Sequence, residues 1–157
     1  MVKGIEGFQA SKYDEAIRHL NSAHQLAPTH PDVPYLLGTV YEKESDFVSA
    51  HRYWDEALQV DPKHVNSLLA CGDMLLRQND LEGARTYLDR AVEVAPNSWR
   101  AHSLLATLLL RQNSYADAVT HAGRAVNLGK EQQEQLRPTC KNFLSQKSSG
   151  QAKTVLR

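Results

Sequence analysis

One pentapeptide, Leu75-Leu76-Arg77-Gln78-Asn79, returns unchanged at positions 109–113 and decides the fold. The two copies lie 34 positions apart, and prolines at positions 28, 62 and 96 keep the same step. Small residues keep it too, in two alanine rows and one glycine row: Ala16, Ala50, Ala84, Ala118 and Ala152; Ala23, Ala57, Ala91 and Ala125; Gly4, Gly38 and Gly72. A constant step of 34 residues is typical of an array of helical repeats.

Each unit of the array is predicted to hold two helices. Apolar residues such as Leu81, Leu88 and Val92 recur at helical spacing. Turn-forming residues interrupt each unit, and proline-containing stretches at 27–30, 61–63 and 95–98 separate one unit from the next. The predicted turns within units are Ser11-Lys12, Glu44-Ser45-Asp46, Asn79-Asp80 and Asn113-Ser114.

The step also divides the chain into a single array of units. Units 31–64, 65–98 and 99–132 are predicted to be complete, and units 1–30 and 133–157 to be truncated. Gly129-Lys130 stands where the other units have proline, and Pro138 and Ser148-Ser149-Gly150 are expected to interrupt the fifth unit. Because both terminal units are incomplete, we expect the chain to be a piece of a longer array, with apolar helix faces exposed at its ends.

This pattern resembles the tetratricopeptide repeat family, which places aromatic residues, Leu-Gly, alanines and proline at fixed offsets. The copy that fits best carries Leu37-Gly38, Tyr41, Ala50, Trp54, Ala57 and Pro62. The resemblance implies an all-α fold, a right-handed α-solenoid of antiparallel helix pairs. It also implies a scaffold for protein–protein interactions, a role that the family fills in many unrelated processes.

Composition narrows the function classes. The 157 residues include 18 Lys+Arg and 18 Asp+Glu, so the basic excess of a nucleic-acid-binding protein is missing. There is no apolar run long enough to span a membrane and no secretory signal, so we expect no membrane insertion, and the cytoplasm is the default expectation. The seven histidines and two cysteines lack zinc-site spacing, and no nucleophile elbow or phosphate loop occurs. We therefore expect no metal, no cofactor and no catalytic residue.

The resemblance places candidate partner-binding residues on the first helix of each unit, which lines a concave face. These residues are Tyr35, Thr39, Lys43, Asn66, Leu69, Asp73, Leu76, Arg77, Arg100, Ser103, Thr107, Leu110 and Arg111. Three of them, Leu69, Leu76 and Leu110, are predicted to form an apolar floor beside Arg77 and Arg111. Such a floor suits a peptide with aliphatic anchors and an acidic group. The alternative is that the leucines pack against the neighbouring helix.

One subclass of the family holds the carboxylate tail of chaperones with Lys and Asn from three consecutive units. The corresponding positions here are occupied by Met1, Ile5, Leu36, Asn66 and Ala70, or one unit later by Tyr35, Thr39, Ala70, Arg100 and Leu104. Neither register supplies the Lys-Asn set, so this clamp is not predicted.

Charge is distributed unevenly along the chain. Residues 1–80 hold 7 basic and 12 acidic residues, whereas residues 81–157 hold 11 and 6. Opposite charges in the two halves, together with uncapped ends, favour self-association from head to tail. The alternative is ordinary solvated charge, which salt screens.

The leading hypothesis is a non-catalytic adaptor that binds a partner peptide or protein on its concave face. The alternative is a regulatory or substrate-docking arm of a larger enzyme whose catalytic domain lies outside these residues.

Overall fold

The computed structural model describes residues 13–152, with side chains described for residues 13–133, and this part of the chain is entirely α-helical. The predicted turn at Ser11-Lys12 lies outside the described residues. Consecutive helices contact one another, most extensively α2 with α3, α4 with α5 and α6 with α7. The helices are α1 (Tyr13–Leu26), α2 (Asp32–Lys43), α3 (Phe47–Val60), α4 (Val65–Arg77), α5 (Leu81–Val94), α6 (Trp99–Arg111) and α7 (Tyr115–Ala152). The architecture is an α-solenoid of helix pairs.

The turns within the helix pairs lie where the sequence predicted them. Ser45, Asn79 and Asn113 each end a short turn with a positive φ of 62–66°, a left-handed conformation that asparagine adopts more readily than most residues. The next residue caps the following helix in the first two pairs. The carboxylate of Asp46 accepts the backbone N–H of Ser49, and Asp80 accepts that of Gly83.

The start of α2 carries two prolines. Pro31 occupies the N-cap, and Pro34 lies in the first turn, where its missing N–H had no partner within the helix. The helix start is therefore compatible with proline at both positions.

The core is built from the repeated small residues and the apolar residues beside them. Ala16, Ala50, Ala84 and Ala118 are all buried, as are Ala57, Ala91 and Ala125 of the second row. A methyl group at these positions allows one helix to approach the next at close range. These alanines are therefore packing positions; Ala23 is only partly buried, and the side chain of Ala152 lies outside the described residues.

Gly38 marks the closest approach of two helices. A Cβ atom built on Gly38 would lie 2.5 Å from two atoms of the Trp54 indole and 2.8 Å from the carbonyl oxygen of Ala50. Trp54 is itself buried and donates its Nε1–H to the carbonyl oxygen of Tyr35 at 3.2 Å. The indole is therefore held in place across the α2–α3 contact, and only glycine fits beneath it.

Histidine connects neighbouring helix pairs. His64, at the start of α4, lies with Nε2 3.0 Å from Oδ1 of Asp32 in α2 and with Nδ1 2.8 Å from Oγ of Ser67. This Asp-His-Ser chain has the residue types of a catalytic triad. However, Ser67 is fully buried, so a substrate cannot reach its hydroxyl. The three side chains instead connect two units of the array.

A second histidine contact joins α6 to α7. The buried His102 has Nε2 2.9 Å from the carbonyl oxygen of Pro96 and Nδ1 2.9 Å from Nδ1 of His121. Because a carbonyl only accepts, Nε2 of His102 carries the proton and its Nδ1 accepts the proton of His121. Burial lowers the pKa of His121, as do the charges of His102 and Arg124, against the opposing effect of two carboxylates, Asp117 and Asp89.

The end of the array differs from the sequence prediction. The interruption expected at Pro138 and Ser148-Ser149-Gly150 is not observed, since α7 continues from Tyr115 to Ala152 through these residues and through Gly129-Lys130. Glycine in a helix interior costs only about 1 kcal/mol and keeps its N–H, unlike the proline of the earlier units. The predicted fifth unit, 133–157, is therefore not a separate helix pair within the described residues.

We predict that Gly38→Ala lowers the free energy of unfolding by about 1–3 kcal/mol, because the methyl group meets an indole and a backbone carbonyl. Gly72→Ala should cost less, since its Cβ would meet only the side chain of Leu88. Gly123 has nothing within 4 Å, so Gly123→Ala is a control that should stabilise by up to about 1 kcal/mol. Urea unfolding measures all three, and equal losses at Gly38 and Gly123 would contradict the close approach.

We also predict that the stability of the α6–α7 contact depends on pH. Because the pKa of His121 is lowered in the folded chain, its contribution is fully present above about pH 6.5 and falls as the pH drops below that value. His121→Asn keeps an N–H donor for His102 but does not titrate, so this variant should lose less stability than the wild type on acidification. The measurement is urea unfolding at about pH 7.5 and pH 5.5, with His19→Gln as control. Identical losses in wild type and His121→Asn would refute the assignment.

Candidate functional site

A groove runs along the first helices of three successive units, α2, α4 and α6. Its central cavity of about 330 Å³ contains side chains from all three helices. Eight of the predicted partner-binding residues line it: Tyr35, Thr39, Lys43, Asn66, Leu69, Asp73, Arg100 and Ser103. Three of these, Tyr35, Leu69 and Ser103, are one repeat step apart, so the stacking of units brings them together.

The α2 wall of the groove is held by one backbone carbonyl. The carbonyl oxygen of Tyr35 accepts both the Nε1–H of Trp54 and, at 3.0 Å, the hydroxyl of Thr39. The ring of Tyr35 also lies against the His64 ring, with centroids 5.4 Å apart. Tyr35 and Thr39 are therefore positioned by the α2–α3 and α2–α4 contacts before any partner arrives.

The apolar floor predicted from the leucines does not form as expected. Leu69 and Leu76 are each only 2% exposed, because they pack into the core against neighbouring helices. Leu110 is 51% exposed but does not line the cavity. The alternative stated for these leucines is correct for two of the three, and the apolar surface of the groove comes from other residues.

The two arginines of the repeated pentapeptide contact the chain itself. The guanidinium of Arg77 donates to the Glu42 carboxylate and lies 3.4 Å from the carboxylate of Asp73. The hydrogen bond that Arg77 donates to Glu42 raises the pKa of Arg77. Arg111 instead donates to the backbone carbonyl of Leu76. Positions 42 and 76 are one repeat step apart, so Arg77 and Arg111 each contact the equivalent residue of the preceding unit. Arg77 contacts a carboxylate there, whereas Arg111 contacts a backbone carbonyl.

Two cations of the groove are unpaired among the described side chains. Lys43 and Arg100 both line the cavity, and neither forms an ion pair within residues 13–133. The carboxylates of the cavity, Glu42 and Asp73, both contact Arg77. With Arg77 included, three cations face two carboxylates, so the groove carries one net positive charge.

Trp99 is the residue of the groove that sequence analysis missed. Its ring is 43% exposed and lines both the groove and a neighbouring cavity of about 480 Å³ between the start of α6 and α7. The equivalent positions one and two repeat steps earlier hold Val65 and Pro31. The replacement of these smaller residues by tryptophan is the sequence signal that could have identified Trp99 as a groove residue. Leu104 and Ala70 complete the apolar lining.

The remaining predicted residue, Thr107, lies outside the cavity. Its hydroxyl donates to the backbone carbonyl of Ser103 at 3.0 Å, one turn earlier in α6. The residues that line the groove therefore come from α2, α4 and the first half of α6, with Trp54 of α3 at its base. Among the described residues, no helix combines the length and the apolar character that a membrane span requires.

Solved structures of similar shape include MamA and a tetratricopeptide domain. A crystal structure of MamA superposes with a TM-score of 0.73 at 14% identity, covering 83% of this chain and 77% of MamA. MamA from Desulfovibrio magneticus RS-1 gives 0.70 at 23% identity, covering 82% and 72%. The first tetratricopeptide domain of Spaghetti (RPAP3), bound to the HSP90 peptide SRMEEVD, gives 0.66 at 23% identity, covering 71% and 90%. These likenesses show the fold.

No curated protein sequence is significantly similar to the chain. A family model described as tetratricopeptide repeat, however, matches residues 35–97 and 72–131, which together form more than half of the chain. These ranges include both copies of the pentapeptide and the whole groove. The chain belongs to the tetratricopeptide repeat family.

Proposed function

We propose that the chain is a non-catalytic adaptor that binds an acidic segment of a partner protein in the groove between α2, α4 and α6. The observation that carries this proposal is the pair of unpaired cations, Lys43 and Arg100, in a cavity whose carboxylates already contact Arg77. The family and its structural neighbours support the coarser statement that the chain is a protein-interaction scaffold.

The polar groups of the groove suit an extended peptide. Asn66 is exposed and carries both an amide donor and an acceptor, which together match the two groups of a peptide unit. Ser103 is exposed one unit further along. An extended segment leaves its backbone N–H and C=O groups free to bond with such side chains, while its own side chains enter pockets.

The apolar groups of the groove set a second preference. The exposed part of Trp99 adjoins Arg100, and the half-buried Leu104 lies in the same cavity. Aromatic and arginine side chains are common anchors in protein interfaces because they bury a large area at low conformational cost. The proposed partner segment therefore combines acidic residues with at least one apolar side chain.

A chaperone tail is not the proposed partner. The Spaghetti structure was solved with an HSP90 peptide, but this chain lacks the Lys-Asn set at the positions compared above. Here the free cations are Lys43 on α2 and Arg100 on α6, separated along the groove. This spacing supports recognition of acidic side chains within a segment.

We predict that Lys43→Glu combined with Arg100→Glu weakens binding of acidic peptides by roughly 10- to 100-fold, because two attractions become repulsions. The peptides are selected from a random-sequence phage library on the wild-type chain, and their affinities are measured by fluorescence polarisation. Lys63→Glu with Lys130→Glu makes the same charge change at exposed sites outside the cavity and is the matched control. Selection of peptides without acidic residues, or equal weakening by both double variants, would contradict the proposal.

We also propose self-association through an apolar stripe on α7. Tyr115, Val119 and Val126 are exposed on one side of this helix. One repeat step earlier, Leu81 and Val92 are partly buried against the core, whereas the position of Val119 holds Arg85, which pairs with Asp89. Two of the three stripe positions thus correspond to residues that pack in the preceding unit, and apolar contact is the usual basis of stacking between units in a solenoid.

We predict that Val119→Asp with Val126→Asp leaves a monomer at every concentration, whereas the wild type forms larger species as its concentration rises. The reason is that carboxylates on both valine positions oppose burial of the stripe. Sedimentation velocity over a concentration series measures this. Thr120→Asp is the control, because Thr120 is exposed on α7 but lies on a different face of the helix from the stripe. A wild type that stays monomeric throughout would end this proposal without affecting the groove.

A further inference from the structure

A histidine, an aspartate and a cysteine meet where α3 packs against α4. His51 and Asp55 lie one turn apart on α3, and Cys71 lies on α4. The candidate ligand atoms of the three side chains all lie within 4.8 Å of one another. None of the three residues lines the groove, so this cluster is separate from the proposed peptide site.

The cluster is organised by hydrogen bonds. Nδ1 of His51 lies 3.0 Å from Oδ2 of Asp55, and the hydroxyl of Tyr87 donates to the other oxygen, Oδ1, at 3.1 Å. Tyr87 comes from α5, so side chains of two helices, α3 and α5, fix the position of the carboxylate. The thiol of Cys71 is buried, and desolvation raises its pKa to about 12, so it is neutral in the metal-free chain.

The cluster is open to solvent on one side. A surface cavity of about 590 Å³ is lined by His51 and Asp55, together with Gln59, Met74 and Gln78. Both side chains are about one-third exposed there, whereas the thiol lies beneath them. An ion entering from the cavity would meet the imidazole and the carboxylate first and the sulfur last.

The other units provide an internal comparison. One repeat step later the three positions hold Arg85, Asp89 and Leu105, and one step earlier Ile17, Asn21 and Leu37. The leucines Leu37 and Leu105 are core residues, so apolar packing is the ordinary use of the position of Cys71. Arg85 and Asp89 form an ion pair at 3.4 Å. Only between α3 and α4 do ligand types occupy all three places.

We propose that His51, Asp55 and Cys71 form a binding site for a divalent transition-metal ion of the Zn²⁺ class. A sulfur and an imidazole are ligands that Zn²⁺ accepts and that Mg²⁺ and Ca²⁺ do not favour. Ligands around tetrahedral Zn²⁺ lie about 3–4 Å apart, so side-chain rotations suffice to reach this geometry from the observed separations. The fourth position faces the cavity and takes water.

Binding is balanced by the release of one proton. The Cys71 thiol loses its proton to solvent as sulfur binds the metal. In the metal-free chain Nδ1 of His51 carries the proton that Asp55 accepts. On binding, this proton is lost to solvent and Nε2 takes one up, so the imidazole stays neutral while Nδ1 and the Asp55 carboxylate bind the ion. Tyr87 keeps its hydrogen bond to Oδ1 of Asp55 and is a positioning residue, of the kind that orients metal-bound carboxylates.

Cobalt titration tests the site, because Co²⁺ takes zinc positions and a thiolate ligand gives it a near-ultraviolet charge-transfer band. The chain also contains Cys140, so every sample carries Cys140→Ser. We expect one equivalent of Co²⁺ to produce the band and one equivalent of Zn²⁺ to remove it. His51→Gln should weaken Co²⁺ binding at least tenfold, and Tyr87→Phe about tenfold. Cys71→Ser should abolish the band.

The controls separate the site from ordinary ion pairing and from loss of fold. His19 and Glu15 form a similar pair one turn apart on α1, at 3.6 Å, so His19→Gln should leave the titration unchanged. Circular dichroism establishes that each variant is folded, and the partly exposed His51 provides a test that does not alter the core. Zn²⁺ should raise the melting temperature of the Cys140→Ser chain but not that of the same chain with His51→Gln. No thiolate band in the Cys140→Ser chain, or equal Co²⁺ affinity with and without His51→Gln, would overturn the proposal.

Discussion

The structure depends on helices approaching one another closely at residues that carry little or no side chain. Gly38 lies so near the Trp54 indole and the Ala50 carbonyl that a methyl group has no room. Ala84 and Ala118 are buried at the positions equivalent to Ala50 in later units. Because each unit repeats this contact after 34 residues, the same stacking geometry propagates along the chain. Larger residues at these points would push apart the two helices of a unit and displace the groove residues that they position.

The groove follows from this stacking. Residues one step apart, such as Tyr35, Leu69 and Ser103, point to one side because their helices are stacked in the same orientation. The sequence therefore predicted most of the cavity lining correctly. It predicted the state of the side chains less well. Leu76 is buried, and Arg77 contacts Glu42, because both outcomes depend on the preceding unit, whose residues differ from copy to copy.

The repeated pentapeptide shows how identical sequences acquire different roles. Arg77 and Arg111 occupy equivalent places, and each reaches back 35 residues to the unit before it. Arg77 meets the carboxylate of Glu42, whereas Arg111 meets a backbone carbonyl because position 76 is leucine. The His51, Asp55 and Cys71 cluster arises in the same way. Compared with Arg85, Asp89 and Leu105 one step later, two substitutions, histidine for arginine and cysteine for leucine, bring three ligand types together.

The sequence by itself determined the repeat length, the two helices of each unit, the turns at Ser45, Asn79 and Asn113, and the family. These features depend on the spacing of residues within a unit and on the constant step between units, and both can be read from the sequence alone. Only the tertiary structure decided that Leu69 and Leu76 are buried, that Trp99 enters the groove, and that His102 meets His121. Burial and pairing depend on residues from other helices, whose identities the repeat does not conserve.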